Sequence, residues 1–492
     1  MLRKAFDASR CARRRHRRRP GERETSPDFA HWKATCNNSR LGGRQLLIGS
    51  SRCLILLIAC ASLSGQVSLS VRYIYTEAPQ YDGKSGLRGG DRFPAGAHLQ
   101  MVAKGRKRLL IPAFAASADA AVSFDGRSIL FSGKRKPADP WQIWEIPAAV
   151  GAPRRVTSFA EDAVTPFYLP GDRIAYARRT PEGLQIETVM LDGAAPLRLT
   201  YAPGDHLICD VLRDGRVLFE APHPGVGAAV RDLYTVYADG SGVETHRCDH
   251  GRDRHAGHEL ASGDIIFENG SHLARFTSAR ATQVELPAIP GEFTGPVAEI
   301  SPEEWLVSYR PHPGMAFGLY RWRPGHGPPE NVLTAKGMNA LDPVLVQPHA
   351  VPKRHPSGLG DRRGANLLCL NAYVSRSETI RAGSVAAVRV SALNGSGQPV
   401  VLGQAPVERD GSFYVQVPSE TPIRFELLDS IGKSIAAEKG WFWARRGEQR
   451  VCVGCHAGPE RAPENASPAV LLRTQEPVRM ALPVHTGKEG QK

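Results

Sequence analysis

The sequence has no apolar run long enough to cross a membrane as a single helix. Its longest apolar stretch covers residues 54–62, far fewer than the roughly 20 residues that span a bilayer. Arg44 and Arg52 lie on its N-terminal side, which is the basic-then-apolar layout of a secretory signal. We therefore predict a signal over residues 44–62 and an exported protein.

The end of this signal can be interpreted in two ways. Leu57-Ile58-Ala59-Cys60 is similar to a bacterial lipobox, in which Cys60 would be lipidated and become the mature N-terminus. Ala59-Cys60-Ala61 also fits ordinary small-x-small cleavage, and a third interpretation is a buried core segment. We expect lipidation at Cys60, with the protein anchored to a bacterial membrane in the periplasm or on the outer surface.

The strong positive charge is concentrated at the N-terminus. Ten of the fourteen net positive charges lie in residues 1–59, which leaves a net charge of +4 for the remainder. The basic run 13–19 would suit a nucleic-acid arm or a twin-arginine signal, but no apolar residues follow it closely. We interpret residues 1–43 as a disordered leader or an over-extended start, and we expect no nucleic-acid partner.

Helical periodicity is almost absent from residue 70 to about 350. Short apolar strands follow turn sequences marked by residues 125, 171, 214, 263 and 302, at intervals of 46, 43, 49 and 39 residues. Periods of roughly 40–50 residues with several strands each are typical of propeller blades. The sequence predicts an all-β fold with a six-bladed propeller over 70–347, whose first and last strands share one blade; seven blades are the alternative.

A second β unit follows the propeller. Residues 348–363 are rich in Pro, Gly and charge and are interpreted as a linker. Six short strand patterns over 364–445 predict a small β-sandwich. A haem-binding segment (446–475) and a tail (476–492) complete the chain, and Ser467 as N-cap with Pro468 at the first position would begin a short helix reaching about Arg473.

Cysteine is scarce, with nine residues in 492. Those outside the leader, the signal, Cys60 and the pair at 452 and 455 are Cys209, Cys248 and Cys369. Three is an odd number, so at most one disulfide forms among them. The sequence is compatible with a Cys209–Cys248 disulfide and equally with buried free thiols.

Cys452-Val453-Gly454-Cys455-His456 is the pattern that attaches a c-type haem. The two thiols would bind one haem covalently, and His456 would be the proximal iron ligand. Zinc would need two further ligands, and no second Cys-x-x-Cys accompanies the motif. A thioredoxin-like redox pair would need a βαβ context.

The distal side of the iron is less determined. Met480 or His485 in the tail could supply a sixth ligand, while an open position would favour binding of a small ligand. Arg445, Arg446 and Arg450 are candidates for pairing with haem propionates, with plain surface charge as the alternative. A separate His-rich stretch in the propeller, either a metal or haem site or an inter-blade loop, contains His246, His250, His255 and His258.

The segment 447–456, Gly-Glu-Gln-Arg-Val-Cys-Val-Gly-Cys-His, together with Val407–Phe413, resembles the α-subunit family of hydrazine synthase. The resemblance implies a propeller, a middle domain and one c-type haem over about residues 70–475. The family's catalytic haem is associated with a tyrosine ligand shortly after the motif, and a further haem domain follows. Here no Tyr follows Tyr414 and no second haem motif exists, which argues against hydrazine synthesis itself.

Three functions are compatible with this organisation. The first is electron transfer by a single-haem module that docks to a redox partner protein through the propeller. The second is an exported haem enzyme with its active site between the propeller and the middle domain. The third is a propeller binding platform with the haem as sensor. We expect the first, because one haem needs no further machinery for it.

Overall fold

The computed structural model describes residues 67–83, 91–149, 151–222, 230–247, 253–277, 282–455 and 465–481. Strands dominate these ranges and a single short helix accompanies them, which confirms the all-β prediction. The predicted leader and signal, with Cys60, lie outside the described residues. In the part of the chain that is described, no helix is long and apolar enough to cross a membrane.

Six four-stranded antiparallel sheets form the propeller, each written here from its innermost strand outward. The first two consist of β4 (Ala116–Val122), β5 (Ser128–Lys134), β6 (Gln142–Pro147) and β7 (Arg154–Arg155), then β8 (Ala163–Leu169), β9 (Arg173–Thr180), β10 (Gly183–Met190) and β11 (Leu197–Arg198). The next two consist of β12 (Leu207–Val211), β13 (Arg216–Pro222), β14 (Arg231–Tyr237) and β15 (Glu244–Thr245), then β16 (Arg254–Glu259), β17 (Ile265–Asn269), β18 (His272–Phe276) and β19 (Gln283–Glu285). The fifth consists of β20 (Glu292–Ser301), β21 (Glu304–Arg310), β22 (Gly318–Trp322) and β23 (Glu330–Leu333).

The sixth blade closes the ring. Its innermost strand is β24 (Asn339–Leu345), followed outward by β1 (Tyr73–Ala78), β2 (His98–Ala103) and β3 (Arg106–Leu109). β24 pairs antiparallel with β1, from Leu345 opposite Tyr73 to Asn339 opposite Ala78. The prediction of six blades, with strands from both ends of the propeller segment in one sheet, is therefore confirmed, and this pairing closes the ring.

The five turn sequences found from the spacing all occupy one structural position. Each lies between the first and second strand of its blade. Gly126 and Gly215 adopt φ values of 72° and 91° in two of these turns, a region that glycine enters without steric cost. The regular spacing thus reflects one repeated hairpin.

The innermost strands share a second feature, which sequence reasoning missed. In five blades the ladder breaks register at a residue with positive φ, namely Asp119, Thr165, Ala256, Gly295 and Asp342. Such bulges re-aim side chains and backbone groups, here toward the propeller axis. Proline follows three of these residues, as Pro166, Pro296 and Pro343, and this recurring x-Pro step was the available signal.

The β-sandwich follows the propeller. One sheet has the order β27 (Pro399–Pro406), β26 (Ala387–Leu393), β29 (Ile423–Leu428) and β30 (Ser434–Ala437). The other has the order β31 (Gln449–Cys452), β25 (Gly364–Cys369), β28 (Phe413–Pro418) and β32 (Val478–Arg479). Alternating side chains of both sheets, among them Leu367, Val390, Val415 and Ile423, form one buried core.

The sandwich has eight strands where six were predicted. The two additional strands, β31 and β32, come from the predicted haem-binding segment and tail, and both pair in parallel with their neighbours. The segment that carries Cys452 is therefore part of the sandwich sheet.

The short helix α1 spans Ala469–Arg473. The prediction that Ser467 is its N-cap is wrong. Pro468 occupies the cap position without a side-chain hydrogen bond. The backbone N–H groups of Ala469 and Val470 instead donate to Asp410 Oδ2 at 2.6 Å and Ser412 Oγ at 3.0 Å. The cap comes from a hairpin 58 or 59 residues away, which a local pattern does not predict.

Candidate functional site

Cys452 is the last residue of β31, an edge strand of the sandwich. β31 runs parallel to β25, with Cys452 opposite Cys369. The ladder continues past the strand end, because the backbone N–H of Leu370 donates to the Cys452 carbonyl at 2.9 Å. Main-chain pairing thus fixes the backbone of the first motif cysteine.

Gly454 allows the motif loop to lie against the segment after β25. A Cβ at this position would be 2.2 Å from the Val374 carbonyl oxygen and 2.9 Å from that of Asn371. Both contacts are with backbone, which cannot rotate away. The glycine is therefore required by close approach of two backbone segments.

The two motif cysteines are partly exposed as residues, and neither forms a disulfide. Burial raises the pKa of Cys452 to about 11, so the thiol form predominates at neutral pH. The carboxylates of Glu438 and of Glu244 in the propeller are near enough to contribute to this shift. Cys452 therefore lies within electrostatic range of β15 in the propeller.

A third thiol, that of Cys369, joins the two motif cysteines. Cys369 is 3% exposed and belongs to the sandwich core, against which Cys455 also packs. A hydrogen bond with the Cys455 thiol, followed by burial, raises the Cys369 pKa well above its usual range. Sequence reasoning left Cys369 unassigned, since no local pattern relates it to residues more than 80 positions later.

The predicted iron ligands fall in different places. His456 and His485 lie outside the described residues. Met480 is 5% exposed within the sandwich core, and its sulfur would be 2.9 Å from a Cβ at Gly403. Met480 therefore packs in the sandwich core, and it would have to leave this core to bind iron. Its role as distal ligand stays a prediction.

Two of the three candidate propionate-binding arginines already have partners. Arg450 pairs with Glu448 at 2.8 Å and donates to the Trp443 carbonyl at 3.2 Å. Arg445 pairs with Glu420 at 2.6 Å and donates to the Tyr201 hydroxyl. Arg446 is exposed.

The residues around the motif fit covalent haem better than a structural metal. The motif supplies two cysteines three residues apart, both partly exposed as residues, which is the spacing that thioether attachment needs. No group of three or more His, Cys, Asp or Glu side chains within the described ranges is arranged to hold a metal ion, so the three thiols gain no support as a zinc site.

A large cavity lies elsewhere, along the propeller axis. It has a volume of about 1180 Å³ and is lined by the innermost strands of the blades. His255 lies in its wall, with Nε2 2.8 Å from Asp253 and Nδ1 3.5 Å from Glu220. Burial alone would lower the His255 pKa, but these two carboxylates raise it to about 10.

Further carboxylates line the same channel. Burial raises the pKa of Glu268 to about 7, and one of its oxygens accepts the N–H of Gly295 at 3.1 Å. Arg92 bridges Asp119 at 2.9 Å and Asp342 at 2.7 Å. These contacts join different blades, so the channel groups also hold the ring together.

The described histidines of the predicted His-rich stretch lie in different places. His255 and His258 line the channel, and His258 Nδ1 is 2.9 Å from Asp210. His246 packs on Phe276 with ring centroids 5.2 Å apart, and burial lowers its pKa to about 4. His250 and Cys248 lie outside the described residues, while Cys209 is a free thiol.

Comparison with known proteins agrees with this architecture. The solved structure titled "Kuenenia stuttgartiensis Hydrazine Synthase" superposes with a TM-score of 0.70 at 16% identity, over 82% of this chain and 71% of that chain. TolB from Acinetobacter baumannii gives a TM-score of 0.41 at 13% identity, over 57% of this chain and 67% of that chain. The first of these likenesses supports the fold.

The sequence comparisons concern the sandwich and the motif. Hydrazine synthase subunit alpha of Kuenenia stuttgartiensis is 34% identical over 61 residues, which make up 12% of this chain and only 8% of that protein. The family described as hydrazine synthase alpha subunit middle domain matches residues 373–457. The expected resemblance is confirmed: the chain carries this middle domain and is hydrazine synthase alpha-like.

Proposed function

We propose that this chain is an exported c-type haem protein that transfers electrons, with one haem covalently bound by Cys452 and Cys455. The observation that carries the proposal is the position of the two cysteines: both are partly exposed residues, and Cys452 ends the edge strand of the sandwich sheet. When bound, haem supplies a one-electron redox couple. At such an edge it would remain open to a partner protein.

The chain's own residues hold this site rigidly. β31 fixes Cys452 through the main-chain ladder with β25, and the close approach at Gly454 fixes the following loop. His456 is proposed as proximal ligand, and Met480 or His485 as distal ligand. A rigid surround suits electron transfer, because little reorganisation then accompanies a change of charge.

Export is part of the same proposal. Thioether attachment of haem and the predicted signal at residues 44–62 both favour a compartment outside the cytoplasm. Lipidation at Cys60 would attach the chain to a bacterial membrane, in the periplasm or on the outer surface, and leave the propeller available for a redox partner protein.

The proposal is tested by spectra of the chain exported from a host that attaches c-type haem. We expect haem that stays with the polypeptide in denaturing gels, at one per chain, and its loss in Cys452→Ser and Cys455→Ser. Cys209→Ser is the matched control, since Cys209 is a free thiol on a propeller strand. A wild-type chain without covalent haem would contradict the proposal.

A second candidate is an exported haem enzyme with its site between the propeller and the sandwich. It is favoured by the position of Cys452 near Glu244 of the propeller, which places the motif beside the junction of the two domains. Carbon monoxide distinguishes the two functions. A reduced spectrum unchanged by the gas supports electron transfer, and a shifted spectrum supports the enzyme, because the iron then has an open position.

A further inference from the structure

Three cysteine thiols form one cluster at the edge of the sandwich. Cys369 lies opposite Cys452 in the parallel pair β25–β31. Cys455 also packs against the core cluster to which Cys369 belongs. The proposed haem attachment uses only two of these thiols, so Cys369 is left without an assigned role.

The local backbone keeps Cys455 near Cys369. Gly454 is in close contact with the carbonyl oxygens of Asn371 and Val374, which follow β25. The loop that carries Cys455 therefore lies over the end of the strand that carries Cys369. Two cysteines held on adjoining backbone segments of one core are placed to reach disulfide geometry by side-chain rotation.

The thiols also differ in accessibility. Cys369 is buried, whereas Cys455 is partly exposed. An incoming oxidant would reach Cys455 before Cys369, and the Cys369 thiol would then resolve the mixed disulfide. Cys452 is held in the β-ladder by its main chain, with its carbonyl accepting the N–H of Leu370.

We propose that Cys369 and Cys455 are a modification site, an intrachain disulfide that forms in the haem-free exported chain. The two thiols lose two protons and two electrons, and the sulfur–sulfur bond forms. A disulfide oxidoreductase of the exported compartment accepts the electrons as its own disulfide becomes a dithiol. The inference rests on the proposed export and haem attachment. The disulfide would keep Cys455 from reacting with haem until the bond is reduced.

The bond can be mapped directly in haem-free protein. The chain is exported from a host without haem-attachment machinery, denatured with N-ethylmaleimide and digested with trypsin without reductant. We expect a cross-linked species of peptides 364–376 and 451–461, which separates on reduction. Mapping the wild-type chain requires no variant to fold.

Single variants identify the partner. Cys452→Ser is expected to keep the cross-link, and Cys455→Ser and Cys369→Ser to lose it. Cys209→Ser is the control that leaves it unchanged. A bond between Cys452 and Cys455, a bond between Cys369 and Cys452, or complete alkylation of all three thiols would overturn the inference.

A second readout concerns attachment itself. In a competent host with limiting reductant, Cys369→Ser is expected to carry at least about twofold more covalent haem per chain than the wild type, since no buried thiol then captures Cys455. Equal haem incorporation in the two chains would overturn the proposal that the disulfide delays haem attachment. Absence of covalent haem from both chains would instead contradict the proposed function, while the peptide mapping still decides whether the disulfide exists.

Discussion

Trp443 of the sandwich donates its indole N–H to the carbonyl oxygen of Leu199 in the propeller, at 3.0 Å. The Trp443 side chain is 2% exposed and lies in one apolar cluster with residues of two blades. Its ring is 6.1 Å from that of Tyr201 and 6.0 Å from that of His206, both edge-on. One side chain therefore joins the two domains nine residues before Cys452.

Trp443→Ala is expected to destabilise the protein strongly. The change removes the indole from a filled site between the domains and leaves a cavity, and such truncations cost about 3–5 kcal/mol. Trp443→Phe should cost less, because most of the packing stays while the hydrogen bond to Leu199 is lost. The measurement is the free energy of unfolding from denaturant titration.

Trp441→Phe is the matched control for this pair of variants. Trp441 is only partly buried, and its ring contacts the Arg424 guanidinium at 5.0 Å. It should change stability by less than Trp443→Phe does. Equal effects of Trp443→Ala and Trp441→Phe would show that Trp443 does not hold the interface.

Acid should weaken the same interface through His206. Burial lowers the His206 pKa to about 4, while its Nδ1 is 3.1 Å from the Gly204 carbonyl. The unfolded chain, with its histidine near pH 6.5, takes up the proton first as pH falls. The stability present above pH 6.5 is therefore lost between pH 6.5 and 4, by an amount that approaches about 3 kcal/mol.

The check is the pH dependence of unfolding in wild type and His206→Phe. Between pH 6.5 and 4, the free energy of unfolding of the variant should fall less steeply with decreasing pH than that of the wild type, because the contribution of His206 is removed. His326→Phe, at an exposed position, should keep the wild-type slope. An unaltered slope in His206→Phe would contradict the assignment.

The propeller was predictable because its turns repeat. Asp125-Gly126 and Asp214-Gly215 mark the same hairpin in different blades. Such residue pairs favour a tight turn through interactions within the turn itself, so they can be recognised in the sequence. The bulges at Thr165 and Asp342 were visible as x-Pro steps, but their meaning depends on six strands meeting at one axis. Periodicity predicts the strands and not what their bulges bring together.

The site was only partly predictable for the same reason. Cys452 and Cys455 form a local motif and were identified from spacing. Cys369 joins them through the pairing of β25 with β31, a parallel contact over a long separation that no periodic pattern reports. The capping of α1 by Asp410 depends on tertiary contact in the same way.

Gly454→Ala should disturb the motif loop. The added methyl group would meet the Val374 carbonyl oxygen at 2.2 Å, so the loop must move away from the segment after β25. We expect a lower yield of covalent haem and a loss of stability of about 1–3 kcal/mol, as for other overpacked sites. Haem per chain and denaturant unfolding measure the two effects.

Gly395→Ala is the control, because a Cβ there has no atom within 4 Å. It should leave both haem yield and stability close to wild type. If Gly454→Ala also behaves like wild type, the close approach of the loop to Val374 is not needed for attachment.

A buried ion pair in the propeller should be costly to break. Arg254 Nη1 and Asp232 Oδ1 are 3.0 Å apart, with side chains that are 0% and 1% exposed. Arg254→Met leaves a buried carboxylate without this cation, and loss of one partner in such a pair costs about 3–5 kcal/mol. Thermal unfolding monitored by circular dichroism measures the loss.

Arg127→Met provides the comparison. Arg127 is 87% exposed and 4.0 Å from Asp125, and such surface pairs contribute roughly 0–1 kcal/mol. A similar loss in both variants would mean that burial does not determine the effect at Arg254.

Asp410→Ala should release the helix α1 from the sandwich. Asp410 accepts the N–H of Ala469 at 2.6 Å and that of Ser412 at 2.9 Å, and a lost cap costs about 0.5–2 kcal/mol. Hydrogen exchange at residues 469–473 is expected to become faster, with little change in the propeller. Asp429→Ala is the matched control, because Asp429 accepts two backbone N–H groups within its own hairpin and caps no helix. Unchanged exchange in Asp410→Ala would show that packing of Val470, rather than the cap, holds α1 in place.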